Sequence, residues 1–279
     1  MKNYLAEARK GHYAVGAFNF GSFEDLRAIV MAAEETGVEG VMLMSNQKAS
    51  FNLGVNMIAN YVRALREETK VKLILHLDHG KDMDLIRQGI EAGYDSVMYD
   101  GSSLPFEENI MNTRKIADMC HNAGIFLEGE LGQVPRGAGN DITGDSQFTD
   151  PALVAEYVDR ASVDSLAVAI GNVHGLYKGV PMIHFDILEK IGQATDVPLV
   201  LHGGTGIAFE DLRKGVSMGI AKVNVGTALR VAHAKASLDY FSVSGNIDPE
   251  DASHAIRQAV KAVVVDHINA FCKQDTIGG

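Results

Sequence analysis

Lys72-Leu-Ile-Leu-His-Leu-Asp-His-Gly80 is an apolar run that ends in two polar side chains. From Lys72 to Leu77 the aliphatic residues occupy both parities. A strand made of them is buried on both faces, the condition of a parallel sheet covered by helices. Asp164-Ser-Leu-Ala-Val-Ala-Ile170 reads the same way. Working outward, short runs of this kind alternate with longer amphipathic stretches along almost the whole chain, the mark of parallel βα units. The runs are Val15 to Asn19, Gly40 to Met44, Lys72 to Leu77, Ser96 to Tyr99, Phe126 to Leu131, Ser165 to Ile170, Pro198 to His202 and Ala221 to Val225. Helix starts are marked by Ser22 before Phe23-Glu24-Asp25, and by proline in a first turn at Thr149-Asp150-Pro151. Eight units without a glycine-rich dinucleotide fingerprint after the first predict an α/β fold of the (β/α)8 TIM-barrel type rather than an open doubly wound sheet. Residues 1–279 are read as one barrel domain in which ~245–279 form a C-terminal helical extension, its helix running from roughly Asp248 to Cys272. Such an extension suits packing on a partner subunit, so a homodimer or homotetramer is expected.

Composition narrows the function classes. The 279 residues are 46% hydrophobic, enough for one large core, and 25 basic against 36 acidic side chains leave a formal net charge of −11. No basic block is present to track a phosphate backbone, so nucleic acid is not an expected partner. Cys120 and Cys272 stand far apart, outside any disulfide or zinc-ribbon spacing, and the first residues contain no apolar stretch of signal-peptide length. A reducing cytoplasm fits, and no run is long enough to span a bilayer.

The informative signal is positional. Asn19, Ser45, Asp78 with His79, Asp100, Glu130, His174, His202 and Asn224 all fall at the C-terminal ends of strands. That end carries the chemistry of this fold, whereas polar residues kept for stability would scatter over both ends. A single histidine here is readily a hydrogen-bonded structural residue. His79, His174 and His202, however, follow strands three, six and seven, and closure brings them together. Three imidazoles with one open position describe a catalytic site for a divalent transition metal, zinc first, with cobalt, manganese or iron as alternatives. Asp100 and Glu130 offer an alternative metal position or orient the ligand imidazoles, the bland reading being a charged barrel mouth. Asp78 is the acid/base candidate, because a carboxylate beside a cation stays ionised at neutral pH.

Two glycine-rich turns complete the rim. His202-Gly203-Gly204-Thr205-Gly206 follows strand seven, and Asn224-Val225-Gly226-Thr227 follows strand eight and opens a helix. Loops after strands seven and eight, with an adjoining helix N-terminus, are the usual phosphate site of this fold; ordinary tight turns are the alternative.

These segments resemble the class II, metal-dependent fructose- and tagatose-bisphosphate aldolases. The resemblance covers about residues 1 to 230: AFNF at 17–20, LHLDHG at 75–80, SVMYDGSS at 96–103, EGELG at 128–132, DSLAVAIGNVHGLY at 164–177, PLVLHGGTGI at 198–207 and KVNVGT at 222–227. It implies that His79, His174 and His202 hold zinc and that Asp78 is the catalytic proton donor. It further implies that Gly175, Gly203, Gly204, Thr205, Asn224, Gly226 and Thr227 grip the phosphate of dihydroxyacetone phosphate, with Asn19 and Ser45 as further substrate contacts by position. A monovalent cation, sodium or potassium, is expected nearby. The implied chemistry is reversible cleavage of a ketose (bis)phosphate to dihydroxyacetone phosphate and an aldehyde. The metal would chelate the ketone and adjacent hydroxyl oxygens and stabilise the enediolate, Asn224 would help position it, and Asp78 would serve the C4 hydroxyl.

Two departures bear on the substrate. Where the family carries a loop acid after ELG, this chain has Pro135-Arg136-Gly137-Ala138-Gly139, leaving Asp141 or Asp145 as replacements. Where the family carries an arginine toward the distal phosphate, Asp248-Pro249 is followed by Glu250, whose charge repels a second phosphate. Arg230 and Arg136 remain as anion contacts. A ketose 1-phosphate, a tagatose-type bisphosphate or an inositol-catabolism-type phosphogluconate each fits as well as fructose 1,6-bisphosphate. The competing readings are a metal-dependent hydrolase, which would carry HxH on its first strand where this chain has Phe18-Asn19-Phe20; a Schiff-base aldolase using Lys222; and a non-catalytic or regulatory relative that binds a sugar phosphate.

Overall fold

The computed structural model describes residues 2–135, 148–177, 179–243 and 247–272. Its eight strands are β1 (Val15–Asn19), β2 (Gly40–Asn46), β3 (Lys72–Gly80), β4 (Ser96–Tyr99), β5 (Phe126–Leu131), β6 (Ser165–Val168), β7 (Leu199–Leu201) and β8 (Ile220–Val225). All neighbours are parallel and β8 pairs with β1, so the sheet closes into the expected barrel. The helices are α1 (Lys2–Lys10), α2 (Phe23–Thr36), α3 (Gln47–Leu53), α4 (Val55–Glu68), α5 (Met83–Ala92), α6 (Phe106–Asn122), α7 (Pro151–Ala161), α8 (Phe185–Ala194), α9 (Phe209–Ser217), α10 (Thr227–Val243) and α11 (Pro249–Phe271).

Strand parity divides the core in two. Val41, Leu43, Leu75 and Leu77 point outward into the layer beneath the helices. Val15, Ala17, Met42, Met44, Ile74 and Phe126 point inward. The N-terminal end of the barrel is stoppered by α1, whose Tyr4, Leu5 and Ala8 pack on that inner set. Its Arg9 donates to the carbonyls of Gly192 and Thr195 at 3.0 and 2.6 Å, satisfying groups at the end of α8 that have no helical partner. The opposite mouth is therefore the one open to ligands.

The anticipated caps are in place. Ser22 and Asp25 form a reciprocal capping box on α2, and Asp150 caps α7 with Pro151 at its first turn. The C-terminal extension is the long α11, which packs on α2 and α10. Lys261 reaches Glu35 at 2.6 Å, and Arg257 pairs with Glu24. No helix of the described residues is long and apolar enough to cross a membrane.

Candidate active site

An ideal strand sends consecutive side chains to opposite faces. Asp78 and His79 nevertheless both line the cavity at the barrel mouth. The register against β4 shifts between Leu77 and Gly80, and His79 has a left-handed φ of 51°. That conformation is uncommon for a residue other than glycine and marks backbone strain held by its surroundings. The bulge turns the imidazole back over the mouth beside the carboxylate.

Three imidazoles meet there edge to face. His79 Nε2 lies 3.0 Å from His174 Nε2 and 3.1 Å from His202 Nδ1, and the latter two are 3.4 Å apart. Tetrahedral ligands about 2.0–2.1 Å from zinc sit roughly 3.3 Å from one another. The donor set therefore fits a divalent transition metal, and no single proton satisfies three converging nitrogens. The close approach depends on Gly203: its φ is 65°, and a Cβ there would sit 2.1 Å from the carbonyl oxygen of Val173. Only glycine lets the loop after β7 pass the backbone that carries His174.

Two of the imidazoles are oriented by carboxylates. His79 Nδ1 is 3.0 Å from Asp100 Oδ2 and 3.8 Å from Glu130 Oε2, so its far side faces carboxylates while Nε2 faces the other histidines. These three residues form a second donor set of metal-binding spacing. On the other flank, His202 Nε2 lies 3.0 Å from Glu128 Oε1. Burial opposes charge on His79, but Asp78, Asp100 and Glu130 outweigh it and raise its pKa to about 9. Burial, reinforced by the neighbouring His79, pushes His202 well below its ordinary value. Burial likewise pushes the Glu130 carboxyl up to about 7.

Asp78 is held at both oxygens. Asn19 Nδ2 donates to Oδ2 at 2.9 Å, and Asn224 Nδ2 approaches Oδ1 at 3.5 Å. Burial would raise its pKa, yet His79, His202 and Lys222 bring it down to about 2. The carboxylate is thus ionised at any working pH. Among the described residues Asn224 Oδ1 is buried with no hydrogen-bond partner, a polar atom left over at the cavity wall.

The cavity has a volume of about 750 Å³. Gly175, Gly203, Thr205, Gly226 and Thr227 line one side, where Thr205 Oγ1 accepts from Ala228 N at 3.0 Å and ties the two glycine-rich turns together. Arg230 also lines it, donating to Thr227 Oγ1 at 2.8 Å. Across the mouth stand Gln47, Lys48 and Phe51 of α3 and Lys81 after β3. Lys48, Lys81 and Arg230 line the cavity with one carboxylate, Asp78, and Lys81 is itself paired with Asp100 at 3.2 Å. Lys48 and Arg230 are left to attract an anion.

Some expected residues lie elsewhere. Ser45 shares the outward parity of Leu43, and its hydroxyl meets Tyr94 at 3.0 Å and Ser50 at 3.1 Å, away from the cavity. Gly204 is buried behind the rim, its N–H donating to the Asn224 carbonyl at 2.9 Å. Lys222 is wholly buried in the barrel with its ammonium on Glu128 at 2.7 Å, which argues against the Schiff-base reading. Glu250 sits exposed in the first turn of α11. Arg136, Asp141 and Asp145 lie outside the described residues. Sequence reasoning passed over Lys48, Lys81 and Glu128. Lys81 directly follows β3 and Lys48 stands in the first turn of the helix after β2, a positional signal that was available; Glu128 was hidden inside a strand.

Known proteins resemble this chain in sequence and fold along its whole length. The family model described as fructose-bisphosphate aldolase class-II matches residues 1–276. The fructose-bisphosphate aldolase of Geobacillus stearothermophilus is 39% identical over 275 residues, 97% of this chain and 96% of that one. That of Staphylococcus aureus strain Mu50 is 37% identical over the same shares. The crystal structure of the YdjI aldolase from Escherichia coli K12 superposes with a TM-score of 0.86 at 33% identity, covering 97% of this chain and 96% of that one. By sequence along its whole length and by fold, the chain belongs to the class-II fructose-bisphosphate aldolase family.

Proposed function

We propose that the protein is a metal-dependent aldolase that reversibly cleaves a ketose phosphate to dihydroxyacetone phosphate and an aldehyde. The observation that carries this reading is the convergence of three imidazole nitrogens within 3.4 Å of one another beside an ionised, doubly held Asp78. His79, His174 and His202 would hold a divalent cation, zinc first, which when bound would supply Lewis-acid polarisation of the ketose carbonyl and stabilisation of developing negative charge. The turns at Gly203, Thr205, Gly226 and Thr227, with Gly175, bind the phosphate and fix the ketose across the mouth. Asp78 takes the proton of the C4 hydroxyl as the C3–C4 bond breaks; the bond's electron pair stays with C3, and C4 leaves as the aldehyde carbon. Asn19 holds that carboxylate in place, and the amide of Asn224 would help position the C2–C3 end of the ketose. In the reverse direction Asp78 returns its proton to the aldehyde oxygen. The proton that C3 takes up is assigned to the segment after β5, where Asp141 and Asp145 stand. A monovalent cation near the phosphate, a homodimer or homotetramer, and a cytoplasmic location belong to the same proposal.

A panel of ketose phosphates differing at C4 and at the distal group, assayed by dihydroxyacetone phosphate release, tests it. Release from at least one member, abolished by a chelator, is expected. Chelator-insensitive release would defeat the metal reading, and no release from any member would defeat the aldolase reading.

A further inference from the structure

Beneath the cavity floor the barrel contains a second polar layer. Lys222 is 0% exposed and its Nζ donates to Glu128 Oε2 at 2.7 Å, while its other near neighbour is His76 Nε2 at 3.4 Å. His76 Nδ1 lies 2.8 Å from Ser96 Oγ. The other oxygen of Glu128 is the one that faces His202 Nε2 at 3.0 Å. Burying an ammonium and a carboxylate in a dry barrel costs more than their attraction readily offsets. Nearby interior positions are filled by Met98, Ala167 and Val200, so packing alone does not call for charge here.

The donor and acceptor inventory gives the layer a direction. An ammonium only donates. Its contact with His76 therefore meets a lone pair on Nε2, and the proton of His76 is on Nδ1, donating to Ser96. A carboxylate only accepts, so Glu128 Oε1 takes the proton of His202 Nε2. Asn224 Nδ2 also stands 3.1 Å from that nitrogen, but an amide NH₂ only donates, so of the two neighbours the carboxylate alone can accept the N–H. A neutral imidazole carries one N–H. His202 Nδ1 is thereby left bare, and it points at His79 Nε2 and His174 Nε2, 3.1 and 3.4 Å away.

We infer that Lys222 and Glu128 are positioning residues: Lys222 anchors one oxygen of Glu128, and the other fixes the tautomer and ring orientation of His202 that present Nδ1 to a metal. The inference rests on the reading that the three imidazoles hold a divalent cation. It also explains why a lysine lies at the centre of the barrel without reaching the cavity.

The test uses zinc itself and the full-length protein. In wild-type protein labelled with ¹⁵N-histidine and loaded with zinc, long-range proton–nitrogen correlation should show His202 protonated at Nε2 and bound through Nδ1. Lys222→Met leaves Glu128 without its counter-charge. Glu128→Gln forces the amide to turn its oxygen to Lys222 and its NH₂ to His202, which reverses the tautomer. In each single variant, zinc affinity by chelator competition should fall ~10–100-fold, the usual scale for partners that orient a metal ligand. The double variant should recover most of the loss, because without the ammonium the glutamine oxygen is free to face His202. Wild-type zinc affinity in both single variants, or a folded double variant as weak as they are, overturns the inference. If the single variants do not fold, the wild-type spectrum decides, and zinc on His202 Nε2 overturns it. Failure of the underlying metal reading looks different: zinc then perturbs none of the three imidazoles in wild-type protein.

Discussion

The two sides of the barrel mouth are built differently. The side formed after β6, β7 and β8 is mainly tight turns: Gly175, Gly203, Gly226 and Thr227 line it beside the one long side chain of Arg230, and Thr205 ties its turns together. The facing side, after β2 and β3, is side chain: Lys48 and Phe51 stand on the seven-residue helix α3, with Phe51 89% exposed, and Lys81 is half exposed. Backbone N–H groups cannot change conformation without moving the barrel's loops, so the first side suits a group common to every substrate. Exposed lysines and a phenylalanine adapt, and the second side suits the part that distinguishes one ketose from another. The three converging imidazoles and Asp78 lie between them.

The sharpest way to break this division is to remove what both sides serve. Chelation, or His174→Ala, should lower kcat/KM for every ketose phosphate by at least ~10³-fold, given the several kcal/mol a Lewis acid contributes. An equal residual rate would place the chemistry elsewhere. Asp78→Asn should cost kcat ~10²–10⁴-fold, the span of a general base, with a smaller change in KM. On the backbone side, Thr205→Ala removes a cap on the N-terminus of α10 and, in the proposed function, a phosphate contact. It should lower stability by ~1 kcal/mol and raise KM about tenfold for all substrates alike. On the side-chain side, Lys48→Ala should change KM only a few-fold, the worth of an exposed ion pair, and only for substrates with a charged distal end. That effect should shrink with added salt. A Lys48 effect uniform across substrates would erase the distinction between the two sides.

Proton linkage supplies a further check on the centre. A metal ligand must be a neutral imidazole, whereas in the metal-free site His79 is raised to about 9. Between its ordinary pKa near 6.5 and that value it carries a proton the metal must displace. Titration calorimetry at pH 7.5 in buffers of different ionisation enthalpy should therefore find about one proton released per metal. Affinity should fall as pH decreases. Asp78, down at about 2, contributes nothing to that loss.

The barrel was legible because its strands are apolar on both parities and the exceptions gather at one end. His79, His174 and His202 could be grouped from strand order alone. What sequence reading lost was parity and depth. Ser45 and Asn46 both end β2, and only the register shows that Ser45 turns out toward Tyr94 while Asn46 lines the cavity. Conversely, Asp78 and His79 share a face against the period of a strand, through a bulge that no residue pattern announces. Glu128 and Lys222 escaped because they lie deeper than the rim, where the pairing of two strands' interiors becomes visible only after closure. The short N-terminal helix α1 was missed for a similar reason, since its apolar Tyr4, Leu5 and Ala8 have meaning only against the bottom of a finished barrel.

The proposed reaction requires a carbanion at C3 of a bound triose phosphate. In D₂O, the metal-loaded protein should exchange one C3 proton of dihydroxyacetone phosphate for deuterium, followed by proton NMR without any aldehyde present. A chelator should stop the exchange and added zinc restore it. Absence of exchange in the loaded protein, or exchange indifferent to the chelator, would contradict metal-dependent aldolase chemistry at this site.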